Sequence, residues 1–501
     1  MTKTTTDAYY DLVVIGGGSA GLTAAKLAAT FDKSVVIIER DRMGGDCTWT
    51  GCIPSKTLLA SAKVAHMARN SEKYGVSTGG GAPRVDMEAV RNLILQNIQE
   101  IYQEDDSPEA MAKLGIDTCL GKATFLNATT LAVESQNEAW PPSAATIIIM
   151  KAKQGVVVCT GAKPKRPTSH MIQGIENVEY LTYEEVFDLK KLPNKMTVVG
   201  GGPIGCELSQ AFARLGSQVT LVAQTLVPRE EPEASETLES VFAKEGITRI
   251  KASLTSVKPS GKKGGGHEGI CTHHDGTTET ISGDALLVAV GRAPNVQDFG
   301  LHEIGVTFND KGGIQVNDKL QTNVKSVYAA GDCTGDLQFT HYAGYQGAIA
   351  ARNILLPLKD QGVIENVPSA TFTSPEISSI GLTEEMAKIK HGVDNVAVKF
   401  QSLSHVDRAI CDGEEQGFIK IVYSKKNYQI LGATVMSPAA GELISEIGVA
   451  IKSKTAFPDL STVIHSYPTY SIALQMMASD VNYEKTLKSK TLLNILKWIG
   501  L

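Results

Sequence analysis

Apolar runs of strand length alternate with helical periodicity over the first half of the chain. Residues 10–15 form an apolar run, residues 22–31 are an alanine-rich segment with helical spacing, and residues 34–38 form a second apolar run. A unit of the same kind follows at residues 196–222. Such alternation is typical of strand–helix–strand units around a parallel sheet. The pattern therefore predicts two α/β units.

The pattern outside these two units is mixed. Helices are predicted at residues 56–70 and 87–104, and short strands within residues 117–158. From about residue 363, strands such as residues 417–422 are followed by helices. This change of pattern indicates a further, α+β unit at the C-terminal end.

Length and charge narrow the classes of function. The 501 residues correspond to about three domains. The formal net charge of -6 argues against a nucleic acid or an anionic membrane surface as the main partner. No apolar run reaches the roughly 20 residues of a membrane span. We expect a cytoplasmic protein, with a removed organelle transit peptide as the alternative. The basic tail after residue 485 is predicted to be a surface or dimer-packing helix.

A glycine-rich turn joins the strand and the helix of the first unit. It reads Gly16-x-Gly18-x-x-Gly21, and Glu39 ends the next strand. The first glycine permits the tight turn, the second lets the backbone approach a pyrophosphate, and the third lets the helix pack on the strand. The helix N-terminus faces the phosphates, and Glu39 is expected to accept hydrogen bonds from ribose. The motif in this context predicts a dinucleotide site.

A second turn of the same kind lies in the second unit, at Gly200-x-Gly202-x-x-Gly205. The strand after it ends at residue 222, and Gln224 follows without the acid that would hold the ribose 2′-hydroxyl of NAD; Arg229 comes shortly after. An arginine suits a 2′-phosphate, so NADPH is favoured over NADH. Two nucleotide sites suggest a bound redox cofactor and an exchangeable nucleotide.

Two of the eight cysteines, Cys47 and Cys52, are five residues apart, and the others stand singly. A zinc site is disfavoured because no second pair lies nearby and the spacing is too long. Glycines flank the pair, and a helix is predicted to start near Cys52, where its N-terminus stabilises a thiolate. A redox-active pair is favoured over incidental core thiols, and no resident metal site is predicted.

The segment from Cys47 to Lys56, with the pattern Cys-x4-Cys-Ile-Pro-Ser-Lys after a nucleotide fold, resembles the redox motif of the class I flavoprotein disulfide reductases. Dihydrolipoamide dehydrogenase, glutathione reductase and mercuric reductase belong to this family. Further segments resemble other motifs of the family: residues 160–161, 290–295, 327–332 and 372–376. The resemblance covers nearly the whole chain. It implies two Rossmann-like dinucleotide-binding domains and an α+β C-terminal dimerisation domain.

The resemblance also implies a division of the chain and its cofactors. The implied domains are an FAD-binding domain in two parts (residues 1–165 and 289–362), an NAD(P)-binding domain (166–288) and a dimerisation domain (363–501). FAD is expected to be tightly bound, NADPH or NADH to be exchangeable, and the protein to be a homodimer.

The family implies roles for individual residues. Cys47 is expected to be the thiol that meets the substrate, and Cys52 the thiolate next to the flavin. Lys56, paired with Glu207, is expected near flavin N5. Further cofactor contacts are implied at Gly45, Ala123, Thr160, Gly161, Asp332, Gly291 and Arg292. Electrons would pass from the nicotinamide to the flavin, then to the cysteine pair, then to an acceptor.

The C-terminal segment departs from the disulfide-reducing members. They carry His-Pro with a glutamate five residues after the histidine, and these positions hold Tyr467 and Ile472 here. His465, two residues earlier, is a candidate for a displaced acid–base residue. Mercuric reductase resembles this chain in having a tyrosine there, implied to help bind metal, although its C-terminal vicinal cysteine pair has no counterpart in the sequence.

The predicted function is therefore an FAD-dependent NAD(P)H oxidoreductase. Its expected acceptor is a metal ion such as Hg(II) or Cu(II), or another direct electron acceptor. Two alternatives stay open: a small-disulfide reductase that uses a displaced base, and a redox-sensing flavoprotein without turnover.

Overall fold

The computed structural model describes residues 5–77, 79, 83–135, 147–261, 265–487 and 490–500. The strands are β1 (Thr5–Ile15), β2 (Val35–Glu39), β3 (Asp117–Asn127), β4 (Thr130–Ser135), β5 (Ile147–Val158), β6 (Ala162–Pro164), β7 (Lys195–Val199), β8 (Gln218–Val222), β9 (Thr248–Ile250), β10 (Ala252–Pro259), β11 (His267–His273), β12 (Thr278–Gly283), β13 (Ala285–Val288), β14 (Arg292–Pro294), β15 (Val327–Ala329), β16 (Ser369–Thr371), β17 (Glu376–Gly381), β18 (Val396–Ser402), β19 (Phe418–Ser424) and β20 (Ile430–Ser437).

The α-helices are α1 (Ser19–Thr30), α2 (Gly45–Trp49), α3 (Cys52–Arg69), α4 (Met87–Ile101), α5 (Pro108–Lys113), α6 (Pro203–Leu215), α7 (Pro232–Lys244), α8 (Thr340–Leu355), α9 (Glu384–His391), α10 (Asp407–Asp412), α11 (Ala440–Ser453), α12 (Ile472–Leu487) and α13 (Lys490–Trp498). None of those within the described ranges is both long and apolar enough to cross a bilayer.

The first α/β unit is confirmed. Its parallel sheet has β1 between β2 and β5, with β3 beside β2 and β15 beside β5. Residues 12–15 and 35–38 are buried, as expected for strands covered on both faces. β4 pairs antiparallel with the second part of β3 and with the start of β5, which also pairs parallel with β1. β1 begins at Thr5, earlier than predicted, because pairing with Ile147 on β5 extends it.

The second α/β unit is also confirmed, as a parallel sheet in the order β13-β7-β8-β9. Helix α6 begins at Pro203, since proline suits the first helical position. An antiparallel sheet of β10, β11 and β12 belongs to the same part of the chain. Strands β6 and β14 pair antiparallel and carry the chain into and out of this unit.

The C-terminal α+β unit is a five-stranded antiparallel sheet in the order β16-β17-β20-β19-β18, with α11 packed on it. The predicted tail helix is divided between the end of α12 and α13, while residues 488, 489 and 501 lie outside the described part. The fold class predicted from the sequence, α/β with an α+β end, is thus confirmed.

One hydrophobic core joins parts of all three units. It contains Leu58 from α3, Ile94 from α4, Phe212 from α6 and Phe418 from β19. All four side chains are buried. This shared core holds α3, which starts at Cys52, against the second nucleotide unit and the C-terminal sheet.

Candidate redox site

The two cysteines lie on two consecutive helices with a one-turn connection. Cys47 is in α2, and Cys52 is the first residue of α3. A side chain at Gly51 would place its Cβ 2.7 Å from the backbone oxygen of Asp46, so the connection requires glycine. Both cysteines are thiols, hydrogen-bonded to each other, and Cys52 Sγ lies 3.2 Å from Thr340 Oγ1.

The surroundings make the two thiols unequal acids. The hydrogen bond from Cys47, aided by Thr340 and Lys56, lowers the pKa of Cys52 to about 6. The same hydrogen bond, together with burial, raises the pKa of Cys47. Cys52 therefore ionises first, and the Cys47 thiol donates to the Cys52 thiolate. This asymmetry agrees with the roles that the family resemblance implies.

Lys56 and Glu207 form the expected pair although they are 151 residues apart. Lys56 Nζ is 2.9 Å from Glu207 Oε2, and the carboxylate is buried. The backbone N–H of Phe372 donates to Glu207 Oε1 at 2.9 Å, and Lys56 Nζ lies 4.1 Å from the centre of the Phe372 ring. α3, α6 and the start of the C-terminal unit together hold a cation one helical turn from Cys52.

Arg292, at the start of β14, ties three elements together next to Cys47. Its guanidinium lies 2.7 Å from Asp332 and 2.6 Å from Asp46, and its Nε donates to the Tyr183 hydroxyl at 3.2 Å. Burial raises the pKa of Asp332, which Arg292 opposes. The structure therefore brings the predicted Arg292 and Asp332 together beside Asp46, the residue that precedes Cys47.

Both glycine turns end at a helix N-terminus, Gly18 before α1 and Gly202 before α6. A Cβ at Gly21 would lie 1.9 Å from the Gly16 oxygen, and Gly205 repeats this distance to the oxygen of Gly200. Each third glycine is thus needed for the close contact of helix and turn.

The acid of the first turn is already engaged with the backbone. Glu39 Oε2 accepts from the Gly17 N–H at 2.7 Å and Oε1 from the Asp41 N–H at 2.8 Å. A carboxylate has further lone pairs for ribose hydroxyls. The glycine cradle, the N-terminus of α1 and this carboxylate fit a dinucleotide, as does the buried Asp332.

Other predicted cofactor residues lie around the crossing strands. The Thr160 hydroxyl donates to the Asn295 oxygen at 2.6 Å. The Gly161 oxygen accepts from the Asn295 N–H and the Gly291 oxygen from the Lys165 N–H, both at 2.9 Å. Gly45 begins α2. The side chain of Ala123 is buried in the apolar core beside β4.

The second nucleotide turn faces a loop that follows β8. Gln224 and Arg229 are exposed on this loop, as the NADPH prediction requires. A residue that sequence reasoning missed, Arg249, holds the loop: its guanidinium donates to the Gln224 oxygen at 2.6 Å and lies 2.7 Å from Glu239.

The two C-terminal candidates, Tyr467 and His465, differ in exposure and in their hydrogen-bond partners. Tyr467 is 70% exposed, and its hydroxyl donates to Asp407 at 2.8 Å. The side chain of His465 is only 5% exposed, with Nε2 2.8 Å from Glu446 and Nδ1 2.8 Å from the Val463 oxygen. Both ring nitrogens are occupied, so the structure favours a structural role for His465 over the displaced acid–base role.

Several contact residues carried no signal in the sequence. Thr340, Phe372 and Tyr183 lie more than 100 residues from the groups they contact, and nothing local marks them. Asp46 could have been noticed, since a carboxylate directly precedes Cys47.

Comparisons with known proteins point to one family. Residues 10–347 match the family model of the pyridine nucleotide-disulphide oxidoreductases, and residues 367–478 match their dimerisation domain. Mercuric reductase of Lysinibacillus sphaericus is 33% identical over 472 residues, which cover 94% of this chain and 82% of the relative. Dihydrolipoyl dehydrogenase of Chlamydia muridarum is also 33% identical over 472 residues, covering 92% of this chain and 94% of the relative.

Solved structures give the same result. The HOCl-induced flavoprotein disulfide reductase RclA from Escherichia coli matches with a TM-score of 0.79 and 25% identity, over 94% of this chain and 99% of that one. Its Cu(II) complex matches with a TM-score of 0.80, over 95% and 100%. With its two nucleotide units and its paired cysteines, the chain belongs to the pyridine nucleotide-disulfide oxidoreductases, a family of NAD(P)H-dependent flavoenzymes that use FAD.

Proposed function

We propose that this flavoenzyme transfers electrons from NADPH, through Cys47 and Cys52, to a soft metal ion such as Hg(II) or Cu(II) or to another direct electron acceptor. The observation that carries the proposal is the exposed Tyr467, bonded to Asp407, at the position where disulfide-reducing members carry histidine. Bound FAD would supply the two-electron carrier between the nicotinamide and the cysteine pair.

The proposed contacts to the two cofactors lie in different regions of the chain. FAD would be held by residues 1–165 and 289–362, through the Gly16 turn, Glu39 and Asp332, and the nucleotide by residues 166–288. Arg292 would balance the charge of Asp332 and Asp46. Lys56, paired with the buried Glu207, would favour an anionic group beside Cys52.

A proton step separates the candidate acceptors. Reduction of a small disulfide leaves a thiolate that must be protonated, for which a histidine paired with a carboxylate is suited. The hydrogen bond to Asp407 raises the pKa of Tyr467 further above neutral pH, and Ile472 carries no charge. The position is thus poorly suited to proton transfer.

Soft metal ions need no such step. A thiolate and a thiol side by side are good ligands for them. Oxidation of the two thiols to a disulfide releases two protons and two electrons, enough for one Hg(II) to Hg(0) or two Cu(II) to Cu(I). The similarity to mercuric reductase, and to a reductase solved as a Cu(II) complex, supports this acceptor class.

The test is steady-state oxidation of NADPH with Hg(II), Cu(II), a quinone, lipoamide and glutathione disulfide as acceptors. General acid–base help is worth about 10²–10⁴-fold, so we expect kcat/KM for the two disulfides to lie at least about a hundredfold below that for the metal ions. The Cys47→Ala variant should lose metal reduction. Disulfide values above about 10⁴ M⁻¹s⁻¹, the usual enzymatic range, would refute the proposal in favour of a disulfide reductase.

The converse experiment restores the missing pair. The Tyr467→His, Ile472→Glu double variant should gain lipoamide reduction by about tenfold or more, because it supplies part of the acid–base contribution. The Tyr467→Phe variant is the matched control and should gain none. An equal gain in both variants would show that proton transfer is not what limits disulfide reduction.

A further inference from the structure

We propose that Glu230 is a positioning residue for Arg229, through which the dimerisation domain sets the preference for a nucleotide with a 2′-phosphate. The inference rests on the proposed use of NADPH and extends it to a residue outside the nucleotide motif. The loop concerned connects β8 to α7, at residues 223–231.

The loop has a conformation that it would not adopt alone. Val227 has a φ of +38°, which is unfavourable for a β-branched residue and persists only where the surroundings impose it. The Val227 N–H donates to the Gly201 oxygen at 2.7 Å, inside the second glycine turn. The strained turn is therefore attached directly to the nucleotide-binding backbone.

Two consecutive acids fix the other side of the loop on the dimerisation domain. The partly buried carboxylate of Glu230 accepts from the hydroxyls of Ser379 and Ser369, which lie on β17 and β16. The buried Glu231 accepts from the Glu384 N–H at 2.6 Å and lies 3.1 Å from Lys420 Nζ. The backbone after Arg229 is thus held by another domain.

Arg229 itself differs from Glu230 and Glu231, whose carboxylates are hydrogen-bonded. Its side chain is exposed and makes no hydrogen bond or ion pair with the residues that the structure describes, although its charge acts on the adjacent Glu230 carboxylate. Its guanidinium is therefore available to an anion, while the backbone on either side is held. On the far side of the loop, Arg249 anchors the oxygen of Gln224.

This arrangement favours the binding of a phosphate. An arginine whose backbone is already held loses less conformational freedom when it binds an anion. NADH has no 2′-phosphate, so binding of NADH should not depend on how the backbone of Arg229 is held. Loss of the Glu230 contacts should therefore weaken NADPH binding through Arg229 and leave NADH binding in place.

Simple electrostatics predicts the opposite sign. Removal of the Glu230 carboxylate beside Arg229 makes the site more positive, which by charge alone would strengthen phosphate binding. A loss of NADPH affinity in Glu230→Ala therefore indicates positioning rather than a change of field.

The test is a double-mutant cycle of Glu230→Ala and Arg229→Ala, measured with NADPH and NADH. Direct binding of adenosine 2′,5′-bisphosphate and of adenosine 5′-monophosphate by calorimetry gives a readout independent of turnover. Each single variant should raise KM for NADPH and Kd for the bisphosphate about tenfold, as for one lost charge-assisted contact. Values of kcat, and all values with NADH and the monophosphate, should stay within about twofold. The double variant should be no weaker than Arg229→Ala.

Two further variants keep the result interpretable. Glu230→Gln retains an acceptor oxygen for the serine hydroxyls and should keep most of the preference. Glu236→Ala removes an exposed acid of α7 and should change nothing. FAD content and melting temperature check that each variant is folded.

Equal losses with NADPH and NADH, tighter NADPH binding, or a Glu230→Ala effect that persists in the Arg229→Ala background would overturn the positioning role while NADPH selection by Arg229 stands. If Arg229→Ala leaves NADPH binding unchanged, selection by Arg229 fails and the inference fails with it.

Discussion

At the scale of single residues, the two thiols of the site differ in acidity. The Cys47 thiol donates to Cys52, and Thr340 and Lys56 add to the stabilisation of the Cys52 thiolate. The start of α3 at Cys52 places the helix N-terminus at the sulfur, which acts in the same direction. The consequence is a division of roles: Cys52 carries the negative charge, and Cys47 stays protonated until it reacts with an acceptor.

This division predicts a pH-dependent spectrum. In the two-electron-reduced protein, a long-wavelength thiolate-to-flavin band should be present at neutral pH and be lost as the pH falls through about 6, since the lowered pKa of Cys52 keeps the thiolate down to that value. Cys52→Ser should abolish the band. Cys47→Ser should show it before any reduction, because without a disulfide the Cys52 thiolate would already face oxidised flavin, and two-electron reduction should then bleach it. A band that survives Cys52→Ser, measured by anaerobic titration, would contradict the assignment.

At the scale of elements, a buried lysine joins two domains. Lys420, in the middle of β19, lies within 3.1 Å of Glu231, Glu233 and Glu384, and its side chain is 4% exposed. Burial of this charge is tolerated because three carboxylates surround it. The N-terminus of α7 is thereby fixed to the C-terminal sheet.

We expect Lys420→Met to destabilise the protein by about 3–5 kcal/mol, since it leaves the buried Glu231 carboxylate without its cation. Lys388→Met is the matched control: it removes a partner of the same Glu384 on the surface and should cost less than about 1 kcal/mol. Urea unfolding of the two FAD-loaded variants measures the difference. Similar midpoints would show that the cluster contributes little.

At the scale of the whole molecule, the dimerisation domain leaves apolar side chains uncovered in the single chain. Ile464 is 90% exposed, Tyr467 70% and Val449 68%. Exposed apolar patches are typical of protein interfaces, and Ile464 and Tyr467 lie three residues apart in the chain. These exposed residues, together with the match of residues 367–478 to a dimerisation domain, predict a homodimer. In this dimer, Tyr467 would lie beside the cysteine pair of the other chain.

Heterodimers of two single variants test this arrangement. If Tyr467 acts across the interface, a dimer of one Cys47→Ala chain and one Tyr467→Ala chain contains one intact site and should show about half the wild-type metal-reductase activity. A dimer with both changes in one chain and a wild-type partner contains no intact site. Equal activity of the two heterodimers, or a monomer in sedimentation, would argue against a shared site.

The local features of the site could be predicted from the sequence. The glycine turns were found from their spacing because a close approach of helix, turn and phosphate admits no side chain at Gly21 or Gly205. The cysteine pair was found because both residues lie within six positions. Prediction of the Lys56–Glu207 pair needed the family resemblance, and in the structure Lys56 Nζ lies 2.9 Å from Glu207 Oε2.

Hydrophobic period, glycine conformation and short spacing act within a few residues, so the α/β units, the two nucleotide turns and the cysteine pair could be predicted from the sequence. Long-range contacts of the folded chain were needed to show that His465 is bonded at both nitrogens, that Lys420 is buried in a strand and that Glu230 reaches the dimerisation domain. The Val463 oxygen lies two residues from His465, and the other partners are 19 to 189 residues away. Packing brings these groups together, and no local pattern of apolar and polar residues records which polar side chains will meet.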